Sequence, residues 1–284
     1  MANINSLQAQ AAGIPVPYPG FKGSVAQALR PFPQYTNIDQ INNTGGYTEY
    51  NAGHFGLQKR FGGGLTFLFD YTVSKMLVAG PFQDGMQNTD KMLSTNNRPQ
   101  VLAISYDYEL PFGSGKRFAS GAHGVLQQVV GGWEVVGIHN YFAGGTITVS
   151  TNASIPTQER VWPIRVPGVP IGTNVGCSNY DPGNSSRPYL NVNAFATPAP
   201  FTFGNTNTLS DVTSCGFASE NVAVMKGIRV SEKMRLKFSG NFFNLLNRHY
   251  WTGLGTNINN PVRFGAYNGA TAPRIIQLSA RVEF

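Results

Sequence analysis

Asp107 and Glu109 stand two residues apart, the spacing that puts both side chains on one face of a strand. Paired carboxylates of this kind could serve acid and base in hydrolysis, but no partner constellation accompanies them. The sequence favours two acids on the wet face of a strand. Gly113-Ser114-Gly115-Lys116 has a phosphate-loop flavour, yet the preceding glycine spacing is wrong, Arg117 replaces the hydroxyl residue, and Leu110-Pro111 opens no helix. It reads as a turn. His54, His123, His139 and His249 are scattered without metal-ligand spacing and read as polar surface or lumen residues. Cys177 and Cys215, the only cysteines, lie in the longest irregular region, where a loop disulfide and two unpaired thiols both remain open. Asn152-Ala153-Ser154 and Asn184-Ser185-Ser186 match glycosylation sequons, a pattern too short to carry weight. Nothing implies a catalytic residue, a metal or a cofactor.

What must position these residues is a series of strands. The last, Ile276 to Phe284, puts Ile276, Leu278, Ala280, Val282 and Phe284 on one face and Gln277, Ser279, Arg281 and Glu283 on the other. One side is greasy and the other wet over roughly ten residues, the length a tilted strand needs to cross a bilayer. The same alternation marks Tyr47 to Phe61, with Phe55 and Leu57 opposite His54, Gln58 and Arg60. It returns from Leu65 to Val73, where Leu65, Phe67, Phe69, Tyr71 and Val73 oppose Thr66, Asp70, Thr72 and Ser74. Leu102 to Leu110 sets Leu102, Ile104, Tyr106 and Tyr108 against Ala103, Ser105, Asp107 and Glu109. Gly131 to Ala143 is a fourth strand whose outward face the pattern leaves open, since Trp133 and Val135 oppose Val136, Ile138 and Phe142. Asn221 to Val230 is a fifth, broken on its apolar side by Lys226, which is expected near a membrane interface or at a bulge. Leu236 to Phe242 is the sixth, with Arg235, Lys237, Ser239 and Asn241 on its polar side.

Between these runs, Phe61 to Gly64, Pro111 to Gly131 and Ser231 to Lys233 are short connections, whereas 74–99, 151–219 and 247–272 read as long polar loops. Thr146 to Ser150 could add a short strand. Residues 1–46 read as loop with a short helix around Val25 to Leu29, ending in the turn signal at 42–46. All short connections fall at one end and all long ones at the other, the arrangement of an outer-membrane barrel.

Composition agrees. Of the 284 residues only 12% are charged, against roughly 25% in a typical soluble domain, while Gly 33, Tyr 12 and Phe 19 are plentiful. Mean hydropathy is -0.17 and no run of about 18 apolar residues exists, which excludes a helical span but not a barrel. The net charge of +7 is spread over single Lys and Arg residues, so no nucleic-acid partner is expected. The N-terminus has no basic start followed by a continuous apolar core, so it does not read as a signal peptide.

Several stretches resemble the β-barrel of TonB-dependent receptors, in particular the Oar-like branch with a carboxypeptidase-regulatory-like N-terminal domain. They are A-L-R-P-F-P-Q-Y from Ala28, Y-N-A-G-H-F-G-L-Q-K-R-F-G-G-G-L-T-F from Tyr50 and D-Y-T-V-S-K from Asp70. N-R-P-Q-V-L-A-I-S-Y-D-Y-E-L-P-F-G-S-G-K-R-F from Asn97, G-G-W-E-V-V-G-I from Gly131, N-F-F-N-L-L-N-R from Asn241 and the terminal Phe284 continue the match. The resemblance implies an all-β, antiparallel transmembrane barrel segment, about seven to eight strands of a roughly 22-stranded barrel around a plug. The segment would be the C-terminal part of an outer-membrane transporter in a Gram-negative envelope, with residues 1–46 an extracellular loop, 47–284 the barrel and 151–219 its long external loop.

On that reading the terminal strand carries the assembly signal, and Asp107, Glu109, Arg235, Lys237, Asn241 and Arg281 face the lumen. The partners would be outer-membrane lipid and lipopolysaccharide, the barrel-assembly machinery, the missing strands and plug, and an inner-membrane energising complex. The competing reading from the residues alone is a soluble secreted all-β binding module, such as a carbohydrate-binding sandwich using its exposed aromatics. A secreted hydrolase would need a catalytic constellation that the sequence does not offer.

Overall fold

The structure is a computed structural model describing residues 3–36, 46–79, 91–154, 161–200 and 202–284. Most of the turn signal at 42–46 lies outside the described residues, as does 80–90 of the first long loop. Seven long strands make one antiparallel sheet: β1 (Tyr47–Phe61), β2 (Leu65–Ala79), β3 (Gln100–Glu109), β4 (Trp133–Phe142), β5 (Phe217–Arg229), β6 (Arg235–Phe243) and β7 (Ile275–Glu283). Each pairs only with its neighbours in chain order, apart from a three-residue strand at Lys91–Leu93 beside the end of β2. Among the described residues the sheet is not closed, and β1 and β7 are its two edges.

Register assigns the faces. Leu65 sits opposite Tyr108, Tyr108 opposite Val135, Val135 opposite Val224, Val224 opposite Gly240 and Gly240 opposite Leu278. Directly opposed residues share a face, so one apolar row crosses six strands. Phe67, Tyr106, Gly137, Val222, Phe242 and Ile276 form the next. The odd residues of β4, Trp133 and Val135 among them, therefore join the apolar face, a choice its own sequence left open. Leu65 opens its strand, whereas Leu278 in the same row lies six residues before Phe284. That drift is the stagger a sheet must have to close into a tilted barrel.

Three boundaries differ from the sequence reading. β2 does not stop near Ser74 but runs to Ala79, because Met76, Leu77 and Val78 keep it paired with β1 beyond the point where its alternation ends. β5 begins at Phe217, inside the stretch read as loop, since Phe217, Ala218 and Ser219 pair with Phe142, Tyr141 and Asn140. The connection from β3 to β4 is more than a turn. It contains α3 (Gly124–Val130), after the two short N-terminal helices α1 (Leu7–Ala11) and α2 (Val25–Ala28), each capped by a serine hydroxyl. No described helix is long and apolar enough to cross a membrane.

The largest correction concerns 151–219. It is not a structureless loop. Ile147, Val149, Ile171, Leu190, Ala194, Phe195 and Leu209 pack with Ile258 and Phe264 from the β6–β7 connection into one buried core. Short strand pairs brace it: Thr146–Thr148 with Thr208–Thr213, Ile164–Arg165 with Phe195–Ala196, and Trp251–Leu254 with Tyr267–Ala270. Leu190 is 0% exposed, so the core is dry at its centre. The two connections thus fold as a single cap over the long-loop end of the sheet.

Candidate functional site

The cap is tied to the sheet immediately before β5. Cys177 and Cys215 are bonded to each other, S–S 2.09 Å, and Cys215 precedes Phe217 by two residues. A second cluster, Val175, Tyr180, Cys215 and Tyr267, surrounds that bridge. Tyr267 joins the parts: its backbone N–H donates to the Tyr180 hydroxyl at 2.8 Å and its own hydroxyl accepts the Cys215 N–H at 3.1 Å. Burial holds the Tyr267 phenol protonated, its pKa pushed up to about 12, and burial raises that of Tyr189 as well. Deeper in the cap, the Arg165 guanidinium donates to the carbonyls of Val166, Val169 and Ala194, stitching three turns with one planar group.

Where the cap meets the strand tips it leaves a cleft of about 710 Å³, bordered by Tyr71, Leu102 and Tyr141 from the apolar face and by Arg248, His249 and Tyr250 from the β6–β7 connection. A smaller one of about 470 Å³ adjoins it, sharing Phe142, Phe217 and Tyr250 and adding Arg98, Trp251 and Tyr267. The shared wall is an aromatic stack: Phe142 lies 5.6 Å from Phe217, and Tyr250 meets Phe217 edge-on at 4.8 Å. Arg248 forms an ion pair with the buried Glu220 at 3.0 Å. The Arg98 guanidinium approaches Gly145 so closely that a Cβ there would fall 2.7 Å from it. Such walls offer flat aromatic faces for stacking, beside a guanidinium already paired with Glu220. Among the described residues no group of three acidic, His or Cys side chains could hold a metal.

The polar residues expected on β3, β6 and β7 line one sheet face. Asp107 and Glu109 share that face, and register adds Glu134 directly opposite Glu109, an acid the sequence reading did not single out because the alternation of β4 was ambiguous. Glu109 also pairs with Lys116 at 2.8 Å. Across the sheet Lys237 stands opposite Arg281, Asn241 opposite Gln277, and Arg235 opposite Glu283. The face is acidic on β3 and β4 and basic on β6 and β7. Ser239 and Ser279 hydrogen-bond across the last pair at 2.7 Å, and His54 meets Asp70 at 3.0 Å. Ile276, Leu278, Ala280 and Val282 lie on the opposite face, and Leu278 is 79% exposed. His139 is not a polar-face residue: it sits on the apolar face beside Ile104, stacked 5.5 Å from Tyr106.

Comparison with curated proteins finds no match. Among solved structures, similarity is found to the ferripyoverdine receptor of the outer membrane of Pseudomonas aeruginosa bound to ferripyoverdine. Its identity is 11% and its TM-score 0.39, over 83% of this chain and 19% of that one. A complex of FpvAI with pyocin S2 gives 12% identity and a TM-score of 0.38, over 83% and 20%. The chain spans about a fifth of the length of these structures. A family model described as an outer membrane beta barrel domain matches residues 1–277, and the chain belongs to that family.

Proposed function

We propose that this chain is the C-terminal part of a TonB-dependent receptor barrel of the Oar-like kind, which binds or takes up an external solute. The observation that carries the reading is the pair of open edges. Among the described residues β1, 15 residues long, and β7, nine residues long, each leave one row of backbone hydrogen-bonding groups without a strand partner. Inside hydrocarbon such edges are untenable, so further strands must cover both of them. A staggered sheet of seven strands with one apolar and one polar face fits a sector of a wider barrel.

In that sector the apolar rows away from the cap meet lipid and lipopolysaccharide, the row of Tyr71, Leu102 and Tyr141 at the strand tips borders the cleft, and Asp107, Glu109, Arg235, Lys237, Asn241 and Arg281 line the lumen. The cap, with residues 1–46, lies outside the cell, and its aromatic cleft receives the solute. β7 with Phe284 presents the assembly signal to the barrel-assembly machinery. Uptake, in this proposal, also needs the remaining strands, a plug and an inner-membrane energising complex. Family membership displaces the soluble secreted module as an alternative.

A paired deletion tests the proposal. The gene and, separately, the energising complex are removed from the source cells, and uptake of a panel of siderophores, saccharides and peptides is followed. A receptor predicts the same lost solute in both strains. Unchanged uptake of every solute after loss of the gene, with the complex deletion impaired, would sink it.

A further inference from the structure

We infer that α3, in the connection between β3 and β4, is an interfacial helix seated in the inner, phospholipid leaflet of the outer membrane. Its exposed side is apolar: Val125 is 81% exposed, Leu126 58% and Val129 61%. Those three residues span about 100° of the helix, while Gln127 and Gln128 turn the other way. The glutamines face protein: the Gln127 side-chain carbonyl accepts the Ser114 N–H at 2.6 Å, and the Gln128 amide donates to the Arg229 carbonyl at 3.1 Å. A helix lying in water would have the opposite arrangement.

Its position fixes which medium it meets. Lys226 and Trp133 oppose each other on the apolar face at the short-turn end of β4 and β5. The Lys226 ammonium donates to the carbonyls of Val129, at 3.2 Å, and Gly131, and lies 5.0 Å from the Trp133 ring centre. The Trp133 indole N–H donates to the Val129 carbonyl at 3.0 Å. Both side chains leave the sheet on its apolar face and grip the C-terminal end of α3, so the helix lies against the lipid side of the barrel wall and not beneath its lumen. Short turns of such barrels are periplasmic, which makes the leaflet the inner one, and a Trp at the junction suits that depth. A seven-residue helix has little stability of its own, and these contacts supply it. Lys226, a blemish in the apolar alternation, is thereby explained as the anchor of this helix.

The inference rests on the barrel reading, and one experiment separates the two. In the full-length receptor reconstituted in phosphatidylethanolamine and phosphatidylglycerol liposomes, single nitroxide labels are placed by Leu126→Cys, Val129→Cys, Ser120→Cys and Leu278→Cys. Cys177 and Cys215 are bonded to each other and do not react. Collision with oxygen and with a water-soluble nickel chelate is then measured on protein whose heat-modifiable gel mobility shows it folded. The oxygen-to-nickel ratio at 126 and 129 is expected to exceed that at Ser120 several-fold and to approach that at Leu278. Nickel access at 126 and 129 equal to that at Ser120 overturns the inference, and so does exclusion of both reagents, which would mean cover by protein. Nickel access at Leu278 as well would overturn the barrel reading with it.

Discussion

The sheet and the cap solve the problem of apolar side chains in opposite ways. In the sheet, Phe69, Ile104, Val222 and Leu278 are spread along strands on one face, half-buried or, at Leu278, exposed. In the cap, Leu190, Leu209, Phe195 and Phe264 converge from distant positions into a closed core. The first arrangement needs a hydrocarbon solvent to be stable; the second is the ordinary hydrophobic effect in water. Two solvents therefore meet within one chain, and the bridge Cys177–Cys215 lies where the water-stable unit joins the strand tips. The aromatic cleft opens at that same boundary.

Removing the bridge gives the largest expected difference between the two regions. Cys177→Ser with Cys215→Ser opens a closure of 38 residues, worth about 4 kcal/mol on the chain-entropy account. Hydrogen exchange is expected to speed up across 143–216 and 244–274 while β1 to β7 keep their protection. Equal loss in both regions would mean that cap and sheet are one cooperative unit. A charge on the outward face reverses the pattern. Val224→Arg places a guanidinium in hydrocarbon at a cost of about 2 to 4 kcal/mol, whereas Ala223→Arg next to it points to the polar face and costs little. Refolding titrations into lipid vesicles compare them, and equal costs would contradict the assignment of Val224 to the lipid face. Lys226→Met comes next: it leaves the Gly131 carbonyl without its side-chain donor and the Val129 carbonyl with the Trp133 indole alone, at about 2 kcal/mol, and proteolysis is expected to cut near α3 with the cap intact.

The same contrast sets what the sequence could reveal. Strand faces are written locally, since residues two apart share a side, so Phe284 back to Ile276 or Leu65 to Val73 can be read without any partner. β4 defeated that reading because Val136 and Ile138 lie on the polar face beside Glu134; only the opposed Val224 and Tyr108 resolve it. The cap has no period at all. Its core unites Ile147 with Leu190, Leu209 and Phe264, and nothing local in a stretch of Asn, Pro and Gly announces a contact across so many residues. The cysteines offered a hint, since a bridge there would pin a long excursion to one point. The acids and bases of the polar face were visible as polar positions of alternating strands, but their separation into an acidic and a basic half depends on strand order, and Glu134 needed register.

Raising the pH offers a finer separation of the two regions. The Tyr267 phenol is pushed up to about 12 by burial, above the ordinary value near 10, so the folded cap holds that proton more tightly than the unfolded chain does. Its contribution is complete below pH 10 and is lost as pH climbs from 10 through 12. At pH 11 the loss is about 1 kcal/mol from this group, and Tyr189, raised in the same direction, adds to it. Tyrosinate absorbance should therefore show a late class of tyrosines whose ionisation coincides with faster exchange in the cap, the sheet being unaffected. In Tyr267→Phe the Cys215 N–H loses its acceptor, so the cap starts about 1 kcal/mol weaker, and the late step shrinks because one of its phenols is gone. A late step of full height in that variant would mean that other phenols, and not the one bonded to Cys215, control the alkaline loosening of the cap.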